Sequence, residues 1–427
     1  MFMGNQRVTR KVPGTQRVME SAETLHCVWP AARSLGVTRL ADITGLDRVG
    51  IPTYSAVIPR SKDGLSISNG KGLLPIEAKV GAVMEAIERQ TACQTKLPLA
   101  HGSLQELGKT RTVLDPRKTK YFLVSDYCET RNYSWVAGQD LITNDEILVP
   151  AHIGGYAWQD LGPGPLTGYG SSNGLASGNN RIEAICQGLC ELIERDAWTM
   201  ADLGSHLLPL MRRLIADPEN AETGHDDFEM FPSLEPMDDP ASQLFRSAGL
   251  EPVLHDITSD LGIPTIFAMI ADESSQGFPM LHGGAGTHPD VRVAARRALT
   301  EVAQSRCVDI HGVREDITLA GASKDEINLR TRRVSRINHK IWPLGESCQP
   351  RPLNAILSFV HDDIQEDLNH ILRCLQTRGI SQVIVVDFTP EDAPFSVVRV
   401  IVPDLEQASI LRCPLGRRAT EFWRFHV

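Results

Sequence analysis

A fourteen-residue phrase occurs twice in this chain. Residues 76–89 read IEAKVGAVMEAIER and residues 182–195 read IEAICQGLCELIER, an offset of 106 with seven positions identical. The shared residues are Ile76/Ile182, Glu77/Glu183, Ala78/Ala184, Glu85/Glu191, Ile87/Ile193, Glu88/Glu194 and Arg89/Arg195. Both copies have helical periodicity. A helix turns about 100° per residue, so with Glu183 at zero, Gln187, Glu191 and Glu194 fall at about 40°, 80° and 20°. Ile185, Leu189, Leu192 and Ile193 fall on the opposite side, at about 180° to 280°. In the first copy Glu85 and Glu88 share one side with the small residues Ala78 and Gly81, while Ile76, Val80, Val83 and Ile87 share the other. The fold must therefore hold two related amphipathic helices, which implies an internal pseudo-symmetry of two halves. A third helix is expected over 291–307, where Arg297, Glu301 and Gln304 lie within about 60° of one another.

Packed carboxylates repel one another unless protons or a cation intervene. Carboxylate and amide oxygens are hard ligands suited to Mg2+ or Ca2+. Mg2+ commonly arrives with phosphates, for which arginine is the bidentate partner. Glu, Gln and Arg on the same helices thus point to a Mg2+–nucleotide site. A solvated Glu/Arg face is the competing reading of any one helix; two near-copies and a third weigh against it. The usual phosphate loops are missing. GLSISNGK (64–71) is one residue too long for a Walker A loop, and Gly72 follows its lysine in place of Ser or Thr. GYGSSNG (168–174) misses the GxGxxG spacing.

Three segments closely resemble the signature of the YcaO family. They are SISNGKG (66–72) followed by EAIER (85–89), SSNGLASGNNRIEAICQGLCELIERDAW (171–198) and RALTEVAQSR (297–306). With these motifs the resemblance covers about residues 40–310. It implies an α/β, YcaO-like fold with mixed sheets packed against helices. It also implies ATP and several Mg2+ ions held by the Glu/Gln/Arg helices. The implied chemistry is phosphorylation of a peptide backbone amide oxygen, which a nucleophile then replaces. A substrate Cys, Ser or Thr side chain gives an azoline ring; an external sulfur donor gives a thioamide. Other members are linked to ribosomal-protein methylthiolation.

Carried over by this resemblance, the metal ligands are Glu85, Glu88, Glu183, Gln187, Glu191, Glu194 and Glu301. The nucleotide contacts are Ser66, Ser68, Lys71, Arg89, Asn179, Glu183 and Gln187, with Lys71 in the SNGKG turn. Arg195 and Arg297 would meet charge developing in phosphoryl transfer. No side chain is assigned as general base. Residues 41–72 are similar to YcaO proteins encoded beside TfuA-type partners, which are associated with thioamides. The chain ends FWRFHV rather than in the PxPxP tail of many azoline formers, and no added peptide-clamp domain is evident. The resemblance therefore favours thioamidation of a ribosomally made peptide or protein, with a TfuA-like or peptide-clamp partner and a homodimeric enzyme. Azoline formation, an accessory role in methylthiolation and a non-catalytic peptide-recruiting scaffold are the alternatives.

The 427 residues suit one large α/β unit. Residues 1–40 are read as an arm and helix, 41–400 as the catalytic domain and 401–427 as a tail. A net charge of −10 argues against a nucleic-acid groove. No apolar run is long enough to span a membrane. Nine cysteines without a CxxC pair or a signal peptide predict a reducing, cytoplasmic setting, with Cys186 and Cys190 facing a core. Residues 1–17, with Arg7, Arg10, Lys11 and Arg17, read as a loose basic arm. Strands are expected near 54–60, on both sides of Gly262, and in GFPMLHGGAG (277–286) before a glycine turn. A helix over 362–379 precedes strands at 381–389 and 395–403. Residues 205–240 read as an excursion and 311–352 as a lid or linker. His282 is read as structural, His361 and His370 as solvated, Glu222 and His225 as loop residues, and FWRFHV as a docked tail.

Overall fold

Capping chemistry starts each long helix where the sequence pattern begins. Pro75 opens the helix of the first copy, and the Glu77 carboxylate accepts the Leu73 and Leu74 N–H groups at 2.8 and 3.1 Å. Asn180 caps the second copy by accepting the Glu183 N–H at 2.9 Å. The computed structural model describes residues 9–119, 127–156, 171–207, 231–272, 280–312, 349–407 and 414–426, and the single positions 161 and 211. Along these come α1 (Ser21–Ser34), β1 (Arg39–Asp42), β2 (Thr53–Val57), β3 (Ile67–Lys71), α2 (Pro75–Gln94), β4 (Leu99–Gly102) and α3 (Leu104–Leu107). There follow β5 (Tyr133–Asp140), β6 (Glu146–Pro150), α4 (Ala151–Gly154), β7 (Leu175–Gly178), α5 (Arg181–Asp202) and α6 (Pro240–Ser247). The chain continues with β8 (Val253–Asp256), β9 (Thr265–Asp272), β10 (Met280–Thr287), α7 (Val291–Gly312), α8 (Ile364–Thr377), β11 (Ile384–Asp387), β12 (Ser396–Ile401) and α9 (Arg417–His426).

The strands form three sheets, ordered β1-β2-β3, β10-β9-β8 and β4-β5-β11-β12-β7, with β6 paired to β5. The α/β architecture is as expected, but the pairings between the named strands are antiparallel rather than mixed, and parallel pairing is seen in the isolated bridges Val113–Leu148 and Leu234–Arg351. β3, β7 and β10 each lie at a sheet edge, and each runs directly into a long helix: α2, α5 or α7. The pseudo-symmetry therefore has three members rather than two halves. Close strand–helix approach requires glycine. A Cβ on Gly70 would strike the α2 backbone at Ala78 and Ala82, and one on Gly286 the α7 backbone at Ala294 and Ala298. Apolar residues on the opposite helix faces then build separate cores. Ala82, Val83 and Ile87 pack with Val136 and Ile384, Ile185, Leu189 and Ile193 with Ile371 and Val400, and Ala298, Leu299 and Val302 with Leu254 and Ile266. Cys186 and Cys190 are buried in the second of these, as expected.

Several local expectations change. Lys71 ends strand β3 instead of lying in a turn, because Gly70 and Lys71 pair with Tyr54 and Thr53. Gly283, Gly284 and Gly286 lie inside β10, where their small size serves packing rather than a turn. The described part of the arm is docked, not loose. Lys11 reaches the fully buried Asp367 at 2.6 Å, and the Thr9 and Lys11 backbone bonds to Ile364 and Asp362. A buried carboxylate at the first turn of α8 needs a cation, and the arm supplies it. His370 is 8 % exposed beneath Phe359, and His361 sits 2.9 Å from Asp367, so neither is simply solvated. At the other end, Ala419 and Phe422 of α9 pack on Met200 and Leu203. Residues Glu222 and His225, and most of 205–240 and 311–352, lie outside the described residues.

Candidate active site

The three strand–helix units carry their acids in register. α2, α5 and α7 begin at Pro75, Arg181 and Val291, and Glu85, Glu191 and Glu301 each stand ten residues further on. Two of these carboxylates accept a backbone N–H from their own unit: Asn69 donates to Glu85 at 3.0 Å and Gly174 to Glu191 at 3.0 Å, while the Ala285 backbone acts to lower the Glu301 carboxyl. One turn later come Glu88, Glu194 and Gln304. All six face a common cavity of about 690 Å3, with Lys71, Gln187, Arg89, Arg195 and Arg297 also on its walls.

Crowding and burial set the electrostatics. Burial pushes Glu85, Glu88 and Glu191 above the ordinary carboxyl range, and for Glu88 the charges of Glu85 and Glu191 add to it. Burial, with Glu301 and Glu191 nearby, pushes Glu194 up to about 7 against the pull of Arg195. Glu301 goes the other way. Burial raises it, but Lys71 at 2.6 Å, Arg195 and the Ala285 backbone together hold it low. Arg195 lies 3.6 Å from Glu191 and 3.4 Å from Glu194, yet its buried Nε has no partner. Arg297 donates to the Thr287 carbonyl at 3.0 Å and to the Gln187 side chain, and makes no ion pair among the described residues. Excess carboxylates beside under-used guanidinium donors form a site for a cation carried on an anion.

Among the described residues, no three His, Cys, Asp or Glu side chains converge closely enough to hold an ion alone. This suits Mg2+ borne by a polyphosphate, which needs only one or two carboxylates besides water and phosphate oxygens. The donor set therefore fits ATP with Mg2+.

Not every expected site residue reaches the cavity. Glu183 is 1 % exposed and already engaged, accepting from Arg17 at 2.8 Å, Val18 N–H at 3.1 Å and Asn179 at 3.0 Å. Asn179 in turn accepts from Thr24 at 2.9 Å. These two stand behind the wall, and Arg17 is the member of their chain that lines the cavity. Arg89 lines it too, but its guanidinium is held by Asp63 at 2.5 Å. Ser66 is exposed and Ser68 buried, and neither borders the cavity.

Three participants escaped the sequence reading. Arg17 looked like part of an arm, and its partner lies 166 residues away. Ser177 donates to the Glu88 carboxylate at 3.2 Å. Arg399, fully buried in β12, adds positive charge near Glu191. A lone arginine inside the apolar run VVRVIV was the available signal for the last.

A helical acid site built on strand edges around one cavity defines a nucleotide- and Mg2+-dependent class of protein. The chain belongs to the YcaO family: a family model described as YcaO cyclodehydratase, ATP- and Mg2+-binding, matches residues 69–406. An uncharacterized protein of Methanothermobacter thermautotrophicus is 34 % identical over 94 % of this chain and 98 % of its own length. An uncharacterized protein in the tfuA 3' region of Rhizobium leguminosarum bv. trifolii is 32 % identical, covering 91 % of this chain and 88 % of its own. Among solved structures, YcaO from Methanopyrus kandleri bound with AMPPCP and Mg2+ matches with a TM-score of 0.70 at 24 % identity, covering 96 % of this chain and 99 % of that one. A heterocyclase in complex with substrate and cofactor matches at 0.71 with 21 % identity, covering 97 % of this chain but only 58 % of the longer one. The chain is thus a YcaO-family, ATP-dependent protein that shares its fold with a solved heterocyclase, and its cofactors are ATP and Mg2+.

Proposed function

We propose that this chain activates a backbone amide of a ribosomally made peptide or protein by O-phosphorylation, and that sulfur then replaces the oxygen to give a thioamide. The observation that carries the reading is that Glu85, Glu191 and Glu301 face one cavity whose wall also carries Lys71, Arg195 and Arg297. ATP bound here supplies the phosphoryl group that turns a poor leaving oxygen into a good one. Glu85, Glu88, Glu191, Glu194, Glu301 and Gln187 would hold Mg2+. Lys71, Arg195 and Arg297 would orient the phosphates and neutralise charge. Arg17, held by Glu183, which Asn179 holds in turn, lines the site. Arg89 supports Glu85 from 4.0 Å.

The relative in a tfuA 3' region supports thioamidation and a TfuA-like partner. Azoline formation is the second reading, favoured by the likeness to the heterocyclase complex. A homodimer is part of the proposal and is checked by light scattering. Among the described residues no helix is long and apolar enough to cross a membrane. The first test is calorimetry of ATP with and without Mg2+ on the wild type and Glu191→Ala. Mg2+-dependent binding lost in the variant is expected; binding untouched by the substitution would sink the site. Mass spectrometry of peptides incubated with ATP and sulfide then separates the products. Exchange of oxygen for sulfur marks the thioamide, and loss of one water marks the azoline.

A further inference from the structure

The cavity extends past the acids along α7, where Gln304, Ser305, Val308 and Asp309 follow Glu301 on its wall. Asp309 lies about 12 Å along the helix axis from Glu301 and about 80° round it, on the same side. Its side chain is 60 % exposed, against 40 % for Arg17 and 38 % for Glu85 on the same cavity. The Asp309 end is therefore its more open mouth. Beside it, His282 of β10 is 3 % exposed, with Nε2 at 3.0 Å from an Asp309 carboxylate oxygen. Its other nitrogen, Nδ1, is buried without a partner. Placed so, Nε2 can donate to Asp309 while Nδ1 faces the interior. The imidazole fixes one carboxylate oxygen of Asp309, a residue that lines the cavity. A histidine kept here solely for packing would gain nothing from an unpaired buried nitrogen.

We infer that Asp309 is the proton acceptor of the amide-activating step, and that His282 positions it. The assignment rests on the amide-activation reading above. In that step the amide oxygen attacks the γ-phosphorus of ATP. The new O–P bond forms as the P–O bond to ADP breaks. The amide N–H electron pair becomes the C=N bond, and its proton passes to Asp309. On the azoline route the proton does not return, whereas on the thioamide route it comes back to the nitrogen when sulfide displaces phosphate; the activating step needs a proton acceptor on both. A group at the mouth, beyond the polyphosphate-binding acids, is where the amide nitrogen would lie.

The test uses the full chain with ATP, Mg2+, sulfide and a pool of short synthetic peptides, and compares Asp309→Asn, His282→Leu and His282→Gln. All three are expected to bind ATP and Mg2+ within about two-fold of wild type by calorimetry, since none touches the acid cluster. Asp309→Asn should lower kcat by about 100-fold or more at an unchanged peptide KM. His282→Leu should fold, because it removes an unpaired buried nitrogen, and should lower kcat without lowering the melting temperature. His282→Gln, whose amide N–H can donate to Asp309, should recover much of the lost rate. A raised KM with unaltered kcat in Asp309→Asn would make this residue a substrate contact and overturn the assignment. So would wild-type turnover in Asp309→Asn, lost nucleotide affinity, or equal losses with lowered melting in both His282 variants. A wild type that binds nucleotide but alters no peptide amide would remove the amide-activation reading and this role with it.

Discussion

Glu194 carries the pH behaviour of the site. Burial and the charges of Glu301 and Glu191 raise its carboxyl to about 7 in the folded chain, against about 4.3 when unfolded. Between those values the folded state binds the extra proton, so stability falls as pH rises through that window. Glu88, raised by burial, Glu85 and Glu191, adds a slope of the same sign. The ligand-free protein should therefore melt lower at about pH 7.5 than at about pH 5, and Glu194→Gln should flatten part of that slope. Binding of ATP with Mg2+ near pH 7 should expel protons, because the cation replaces them. Calorimetric heats that do not change with the ionisation enthalpy of the buffer would contradict this.

At the level of elements, the sequence showed all three helices but a repeat of only two units. The copies at 76–89 and 182–195 share letters, so their acidic faces could be read directly. The third unit keeps positions rather than letters: Gln304 stands where Glu88 and Glu194 do, and Arg297 where Gly81 and Gln187 do. What makes the three equivalent is an edge strand running into a helix whose glutamate stands ten residues from its start, and no helical periodicity encodes that strand. The strand glycines were misread for a related reason, since turn and close packing both select glycine. Gly286→Val tests the packing role. Its added carbons would force α7 off β10, costing at least about 1–3 kcal/mol in denaturant melts. It should also weaken nucleotide binding by displacing Glu301. Gly262, in a turn with φ 72° and open space around it, offers a contrast: Gly262→Asn should leave nucleotide affinity unchanged.

Across the whole molecule, both ends of the described chain are tied to α5. The arm reaches Glu183 through Arg17, and α9 reaches Asp196, next to Arg195, through Arg418 at 2.8 and 3.0 Å. These ties were hidden from sequence reasoning because their partners are more than 160 residues apart, and charge alone does not say which basic residue meets which acid. Asp196 is fully buried, so Arg418→Leu would strand its charge and should cost about 3–5 kcal/mol, read as a lower melting temperature. The three glutamates follow edge strands of three separate sheets, with α2 packed between the first and the six-stranded one, and all three face the cavity. A ligand bridging them would act as a keystone, joining layers whose mutual orientation is otherwise left to side-chain packing. Its arrival should slow amide hydrogen exchange in β2, β9 and β12 together, strands that touch no phosphate.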